Sequence, residues 1–275
     1  MHLSALNLEK LIEKVINDAN FDARSSNILR KRFGLETPKT ATLQQLGAKY
    51  GITRERVRQL EAQAVSQIRK GIESFEEAQA LKNFAEDHLS RIGGLRKDDT
   101  FMEELHIVTE ANEEKGIFGN KARFIFKILK YPYFSGENDF FHSFWYVDKG
   151  AKNKMEIIHK DIVKKLKKVE HFEEIFREAV KPHNIPESIA ANYLSVSKKI
   201  GIGPYGDIGL SHWEEINPKT VRAKAFLLLK KTGDPMHFTE IAKFIDSHAP
   251  TVHNELIKDP RFVLMGRGTY GLKLK

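Results

Sequence analysis

Cysteine is absent from the 275 residues, which excludes a disulfide framework and any thiolate-held metal site. Long apolar runs are missing too. The longest, 225–229, falls far below the ~20 residues a membrane helix needs, so no membrane association is expected. The opening stretch, MHLSALNLEK, has no basic start followed by an apolar core, so no signal peptide is expected. Sequence motifs of several chemistries are also missing. There is no Gly-rich loop ending in Lys-Ser/Thr, no HExxH and no Gly-x-Ser-x-Gly elbow. The eleven histidines are scattered without metal-ligand spacing, so no metal, cofactor or small-molecule substrate is expected. A large excess of one charge is lacking as well: 45 Lys and Arg against 37 Asp and Glu give +8. That balance permits a polyanionic partner without demanding one. What is present, 41% apolar and 30% charged residues, supports packed cores and a soluble chain, long enough for two to four small domains.

The stretch 42–70, TLQQLGAKYGITRERVRQLEAQAVSQIRK, organises the rest. Thr42 followed three residues later by Gln45 reads as a capping box. Gly51 suits a position of positive φ between two helices, and Thr53 caps the second helix. Val57, Leu60, Ala64 and Ile68 recur at helical spacing along one face. Arg54, Glu55, Arg58 and Gln59 fall on or beside the opposite face, mostly in the first two turns. A helix-turn-helix that reads DNA sets the N-terminal residues of its second helix against base edges. Arg, Glu and Gln carry the donors and acceptors for such contacts.

Three runs, Arg32-Phe33-Gly34-Leu35, Thr42-Leu43-Gln44-Gln45-Leu46-Gly47 and Ile52 through Ala62 (ITRERVRQLEA), closely resemble region four of primary bacterial sigma factors. The resemblance covers roughly 21–70. It implies that Arg54, Glu55 and Gln59 read bases of an upstream promoter hexamer. By the same resemblance Arg56 and Arg58 hold phosphates or add base contacts, with Thr42 and Thr53 beside the DNA. The helices before them dock the flap of the polymerase β subunit, which places Leu29, Phe33 and Leu35 near that surface; the other reading is that they are core of a small helical domain, and core is the better reading of Phe33. Double-stranded promoter DNA and core RNA polymerase are the partners it implies, in a cytoplasmic, nucleoid-associated protein. Where primary sigma factors carry Lys, this chain has Gln63, which weakens that contact. No tryptophan-rich, aromatic helix of the DNA-melting kind is visible, so the resemblance gives no means of opening DNA alone.

Residues 3–35 read as helical, with Leu6, Leu8, Leu11, Ile12, Val15 and Ile16 as a stripe, a break at Asp18-Ala19-Asn20, and Ser25 or Ser26 capping a second helix. The helix after Thr53 is expected to run past Lys70 as far as a Gly93-Gly94 break, with a possible hinge at Gly71. Beyond Gly94, 122–145, 189–213 and 252–275 each read as a short helix, a strand, a Gly-containing turn and a second strand. The predicted fold is therefore mainly α: a helix-turn-helix domain (1–72), a connecting helix (73–95), two winged-helix-like units (96–150 and 151–216) and a last unit (217–275). Through "MHFTEIAKFI", "TVHNELIKDPRFV" and "GRGTYGL" the last unit resembles the HARE helix-turn-helix domain. That family includes the amino-terminal domain of the RNA polymerase delta subunit and modules fused to restriction enzymes. His253, Asn254, Lys258 and Arg267 are its candidate nucleic-acid contacts.

Two fragments point elsewhere. Asp98-Asp99 with Glu113-Glu114-Lys115 resembles an acid…acid-x-Lys nuclease arrangement, but no apolar strand presents it. The aromatics of 131–134, 140–141 and 144–146 suit either the core of a wing or the stacking of single-stranded bases. The expected function is a non-enzymatic, sequence-specific promoter-binding protein of the sigma type. The alternatives are a restriction-associated DNA-binding protein or nuclease, and a delta-like polymerase accessory subunit.

Overall fold

The computed structural model describes residues 6–273. Positions 3–5 of the predicted N-terminal helix and 274–275 of the last hairpin lie outside the described residues. The chain is mainly α with small antiparallel sheets, as the sequence predicted. It forms two compact units. The first holds the described residues up to Glu156 together with Ala191–Val196, and the second holds Ile157–Ala190 with Ser197 onward.

The first unit contains α1 (Leu8–Asp18), α2 (Ala23–Phe33), α3 (Leu43–Tyr50), α4 (Arg54–Gly71), α5 (Glu76–Arg91), β1 (Leu95–Lys97), α6 (Asp98–Val108), α7 (Lys115–Leu129), β2 (Tyr133–Ser135), β3 (Phe144–Tyr146) and the start of α8 (Lys149–Lys165). The stripe of α1 is buried as its spacing required: Leu8, Leu11, Ile12, Val15 and Ile16 all face inward. The predicted cap of α2 is corrected. Asp22, not Ser25 or Ser26, accepts from the free Ser25 amide, because a carboxylate at the N-terminus also meets the positive end of the helix dipole. The long helix predicted after Thr53 is broken. A 3-10 turn at Ile72–Ser74 separates α4 from α5, and Ile72 is buried there.

One hydrophobic core runs through this unit. Leu11 and Ile12 of α1, Leu29 of α2, Val65 and Ile68 of α4, Leu81 and Leu89 of α5, Phe101 of α6, and Phe124 and Phe126 of α7 belong to it together. Segments that the sequence divides at 72 and 95 thus share a single interior. Burying a large apolar side chain contributes about 1.5–3 kcal/mol, so α5, α6 and α7 are structural partners of α1 and α4 rather than appendages. The three strands form an antiparallel sheet in the order β1-β3-β2.

The second unit contains the end of α8, α9 (Phe172–Ile175), the start of α10 (Glu187–Ser195, which passes into the first unit at Ala191), β4 (Ile200–Ile202) paired with β5 (Ile208–Leu210), α11 (Val221–Thr232), β6 (Met236–His237), α12 (Phe238–Phe244), α13 (Ala249–Lys258), β7 (Phe262–Gly266) and β8 (Thr269–Leu272). Each of the three predicted helix-then-hairpin stretches carries its hairpin: β2–β3, β4–β5 and β7–β8. In the last one Ala225, Leu229, Ile241, Val252, Leu256 and Tyr270 make a separate small core.

Candidate nucleic-acid interface

The α3–α4 pair is set by local chemistry. Thr42 Oγ1 accepts from the Gln45 amide at 3.2 Å, and the Gln45 side chain accepts from the Thr42 amide at 2.9 Å. Gly51 ends α3 at φ +62°, where a Cβ is disfavoured. Gly47 is required for another reason: a Cβ there would lie 2.7 Å from the Ile52 carbonyl, so only glycine lets the turn fold back this closely. Thr53 then caps α4 by accepting from the Arg56 amide at 3.1 Å. The seam beneath is Ile28, Leu46 and Val57, all buried, flanked by Ala41, Leu43, Tyr50, Ile52 and Leu60. The Arg24 guanidinium donates to the Tyr50 carbonyl at 2.7 Å and ties α2 to the end of α3.

Above this seam stands the predicted reading row. Arg54, Glu55, Arg56, Arg58 and Gln59 are all exposed, as are Thr42 and Thr53, while Val57 between them is fully buried. The row is internally linked. Glu55 accepts from Arg58 at 2.7 and 2.8 Å, and the Arg56 guanidinium donates to Gln59 Oε1 at 3.3 Å. The bond from Arg58 holds the Glu55 carboxyl below its ordinary value, and Glu55 in turn raises the Arg58 guanidinium. Exposed ion pairs of this kind contribute little stability, so these side chains exchange readily onto another partner. The structure adds a feature that the sequence reading missed. Lys31 of α2 and Lys49 of α3 lie close enough that the charge of Lys31 lowers the Lys49 ammonium. Eighteen residues apart, they gave no local signal. A phosphate is the kind of group that relieves such a pair.

Behind α4 the picture reverses, and here the structure corrects the predicted polymerase surface. Leu29 and Leu35 are each only 1% exposed, inside the core shared with α1 and α7. Phe33 packs on Phe124 of α7 with ring centroids 4.8 Å apart, and the Lys127 ammonium sits 4.6 Å above its ring. Leu29 and Leu35 have no surface to offer a partner, because they lie inside a core to which α1, α4 and α7 of the same chain contribute. The packing is tied down by polar contacts. Glu61 of α4 pairs with Arg32 at 2.8 Å and Lys127 at 2.9 Å. Burial pushes the Glu61 carboxyl up, and these two cations more than offset it, leaving it below the ordinary value. Arg69 of α4 donates to the carbonyls of Ile128 at 2.8 Å and Lys127 at 3.3 Å, capping the end of α7. Asn120 donates to the carbonyls of Gly34 and Pro38, holding the α2–α3 connection. Lys121, buried, pairs with Glu9 and Glu113.

In the last hairpin unit the four predicted contacts divide. Asn254, Lys258 and Arg267 are exposed, and Lys258 has Glu255 at 3.5 Å. His253 is half-buried instead. Its ring packs at a tilt against Phe238 at 4.7 Å, and its Nδ1 meets the Tyr270 hydroxyl at 3.1 Å.

The nuclease-like fragment is dispersed into separate pairs. Asp98 accepts from Trp145 Nε1 at 2.6 Å and Arg123 at 3.0 Å. Asp99 pairs with Lys97, Glu113 with Lys121, and Lys115 with Glu103. Among the described residues no three acidic or histidine side chains gather where they could hold a metal ion. No helix among them is long and apolar enough to cross a membrane.

Comparison with known proteins agrees with this geometry over one part of the chain. Residues 19–70 match the family model for sigma-70, region 4. The RNA polymerase sigma factor SigA of a Bacillus species is 39% identical over 79 residues, which is 29% of this chain and 19% of that protein. The RNA polymerase sigma factors SigA of Listeria monocytogenes and Listeria innocua are likewise 39% identical over 79 residues, 20% of each. No solved structure matches. The chain spans about a fifth of the length of the curated relatives it matches, so what it shares with them is a region 4 domain at residues 19–70.

Proposed function

We propose that this chain is a non-enzymatic, sequence-specific binder of double-stranded DNA in transcription, working as a sigma-type promoter reader. The observation that carries the reading is the row on α4: Arg54, Glu55, Arg56, Arg58 and Gln59 stand exposed over a fully buried Val57, within the residues that match sigma-70 region 4. In a major groove, Arg presents two donors to guanine, Glu accepts from the amino group of cytosine, and Gln pairs with adenine. Arg56 within the row, and the Lys31–Lys49 pair on α2 and α3, serve as phosphate contacts that fix its register without carrying sequence information.

Core RNA polymerase is the expected protein partner, by analogy with the SigA relatives. With Leu29 and Leu35 buried, contact with a β-subunit flap falls to surfaces other than these two residues. The last segment is read as a HARE-type winged helix, with Asn254, Lys258 and Arg267 as its outward contacts. A pull-down with core polymerase, followed by sequencing of the retained DNA, tests the proposal. Retention of DNA sharing one upstream motif is expected. Polymerase that fails to retain the chain removes the sigma-type part of the reading. Retention without any shared motif reduces the chain to an accessory subunit.

A further inference from the structure

A cavity of about 490 Å³ opens beside α7, away from the row on α4. Phe33, Phe124, Phe126, Pro132, Phe134 and Trp145 form most of its wall, and Arg123, Lys127 and Lys130 stand around it. Among the described residues, no carboxylate lines it. Some of these aromatics are ordinary core: Phe124, Phe126 and Trp145 are at most 4% exposed. Two at its edge are not. Phe134 is 50% exposed and Tyr133, which also lines the cavity, 48%. Phe134 rests on Trp145 at 4.7 Å and Tyr133 on Tyr146 at 5.5 Å, so each ring is held from behind and open to solvent.

The charge around the cavity is net positive. Arg32, Arg123, Lys127 and Lys130 face two carboxylates, Glu61 and Asp98; four minus two leaves a surplus of two positive charges. Lys130 is exposed at the end of α7, in the left-handed region at φ +57°. Aromatic faces held from behind, a cationic border and no acidic lining suit an unpaired nucleotide, with its base against a ring and its phosphate on a cation. The Asn120 amide in the wall already donates to Gly34 and Pro38. Stacking on a ring face needs no hydrogen-bonding group from the wall.

We propose that this cavity is a stacking site for an unpaired nucleotide of single-stranded DNA, separate from the duplex face on α4. The test uses the full chain carrying Trp213→Phe, which leaves Trp145 as the one tryptophan of two. Titration with an oligothymidylate of roughly twelve nucleotides, within the site sizes common for single strands, is expected to quench Trp145 to saturation. Phe134→Ala is expected to weaken that binding at least about fivefold. Lys130→Gln, on an exposed side chain, is expected to flatten the salt dependence by roughly 0.7 in log–log slope. Both variants are expected to keep the parent's melting midpoint and its duplex binding. Oligonucleotide binding that leaves Trp145 unquenched overturns the proposal, as does equal affinity in both variants and the parent. Quenching by an acidic peptide carrying a phenylalanine, with no response to the oligonucleotide, assigns the cavity to a protein partner and overturns it too.

Discussion

The two sides of α4 use the same residue types for opposite ends. On the front, Glu55 and Arg58 pair with each other at 58% and 60% side-chain exposure, where water screens them and the pair holds nothing together. On the back, Glu61 is 13% exposed and joins two other helices through Arg32 and Lys127. Less than two turns of helix separate a carboxylate free to change partners from one built into the scaffold. The difference lies in what covers each: solvent over the first, α7 over the second. A rigid back is what lets a mobile front be presented in one geometry.

The sharpest way to break this contrast is to empty the back. Phe124→Ala removes a side chain that is 1% exposed and packed on Phe33. It is expected to cost about 3–5 kcal/mol, read as the shift of the denaturant midpoint at constant slope. A loss under about 1 kcal/mol would show that α7 is not the support proposed here.

That support is also the part the sequence concealed. The front was legible because it is local: the Thr42–Gln45 box, Gly51, the Thr53 cap and the spacing of Val57 and Ile68 all lie within a few turns, and each stands where the spacing put it. The hairpins were legible for the same reason. The back depends on pairs far apart in sequence, such as Glu61 with Lys127, Arg69 with Ile128 and Glu9 with Lys121. No periodicity reports these. From local sequence Leu29 and Leu35 could therefore be read either as a docking surface or as core, and both are buried in the core that α1 and α7 share. The break at Ile72–Ser74 escaped notice because Gly71 offered only a possible hinge, and burial of Ile72 decided the matter.

A milder perturbation separates packing from charge. Glu61→Gln keeps the shape and removes the anion between Arg32 and Lys127; about 1–3 kcal/mol is the expected loss at neutral pH. Since the folded Glu61 carboxyl lies below its ordinary value, the parent gains this stability above the unfolded value of about 4.3 and loses it as pH falls through the lower folded value. The acid limb of the stability curve is expected to flatten in the variant. An unchanged acid limb would mean that Glu61 is not the group linked to it.

Smaller still is the cap. Thr53→Ala is expected to cost about 1 kcal/mol and to fray the first turn of α4, lowering DNA affinity along with stability. On the front itself, Arg58→Ala is expected to leave the melting midpoint where it is while weakening duplex binding. If melting falls as it does for Glu61→Gln, the front is scaffold too and the contrast fails.

Selection of bound sequences from a random duplex pool, run in parallel on the parent and on Gln59→Ala, tests the central claim most directly. The parent is expected to enrich one short motif. The variant is expected to relax a single position of it, at about 1–3 kcal/mol of lost discrimination, with its melting curve unchanged. A parent that enriches no motif, or a variant that enriches the same motif with the same preference at every position, contradicts the assignment of α4 as the reading helix.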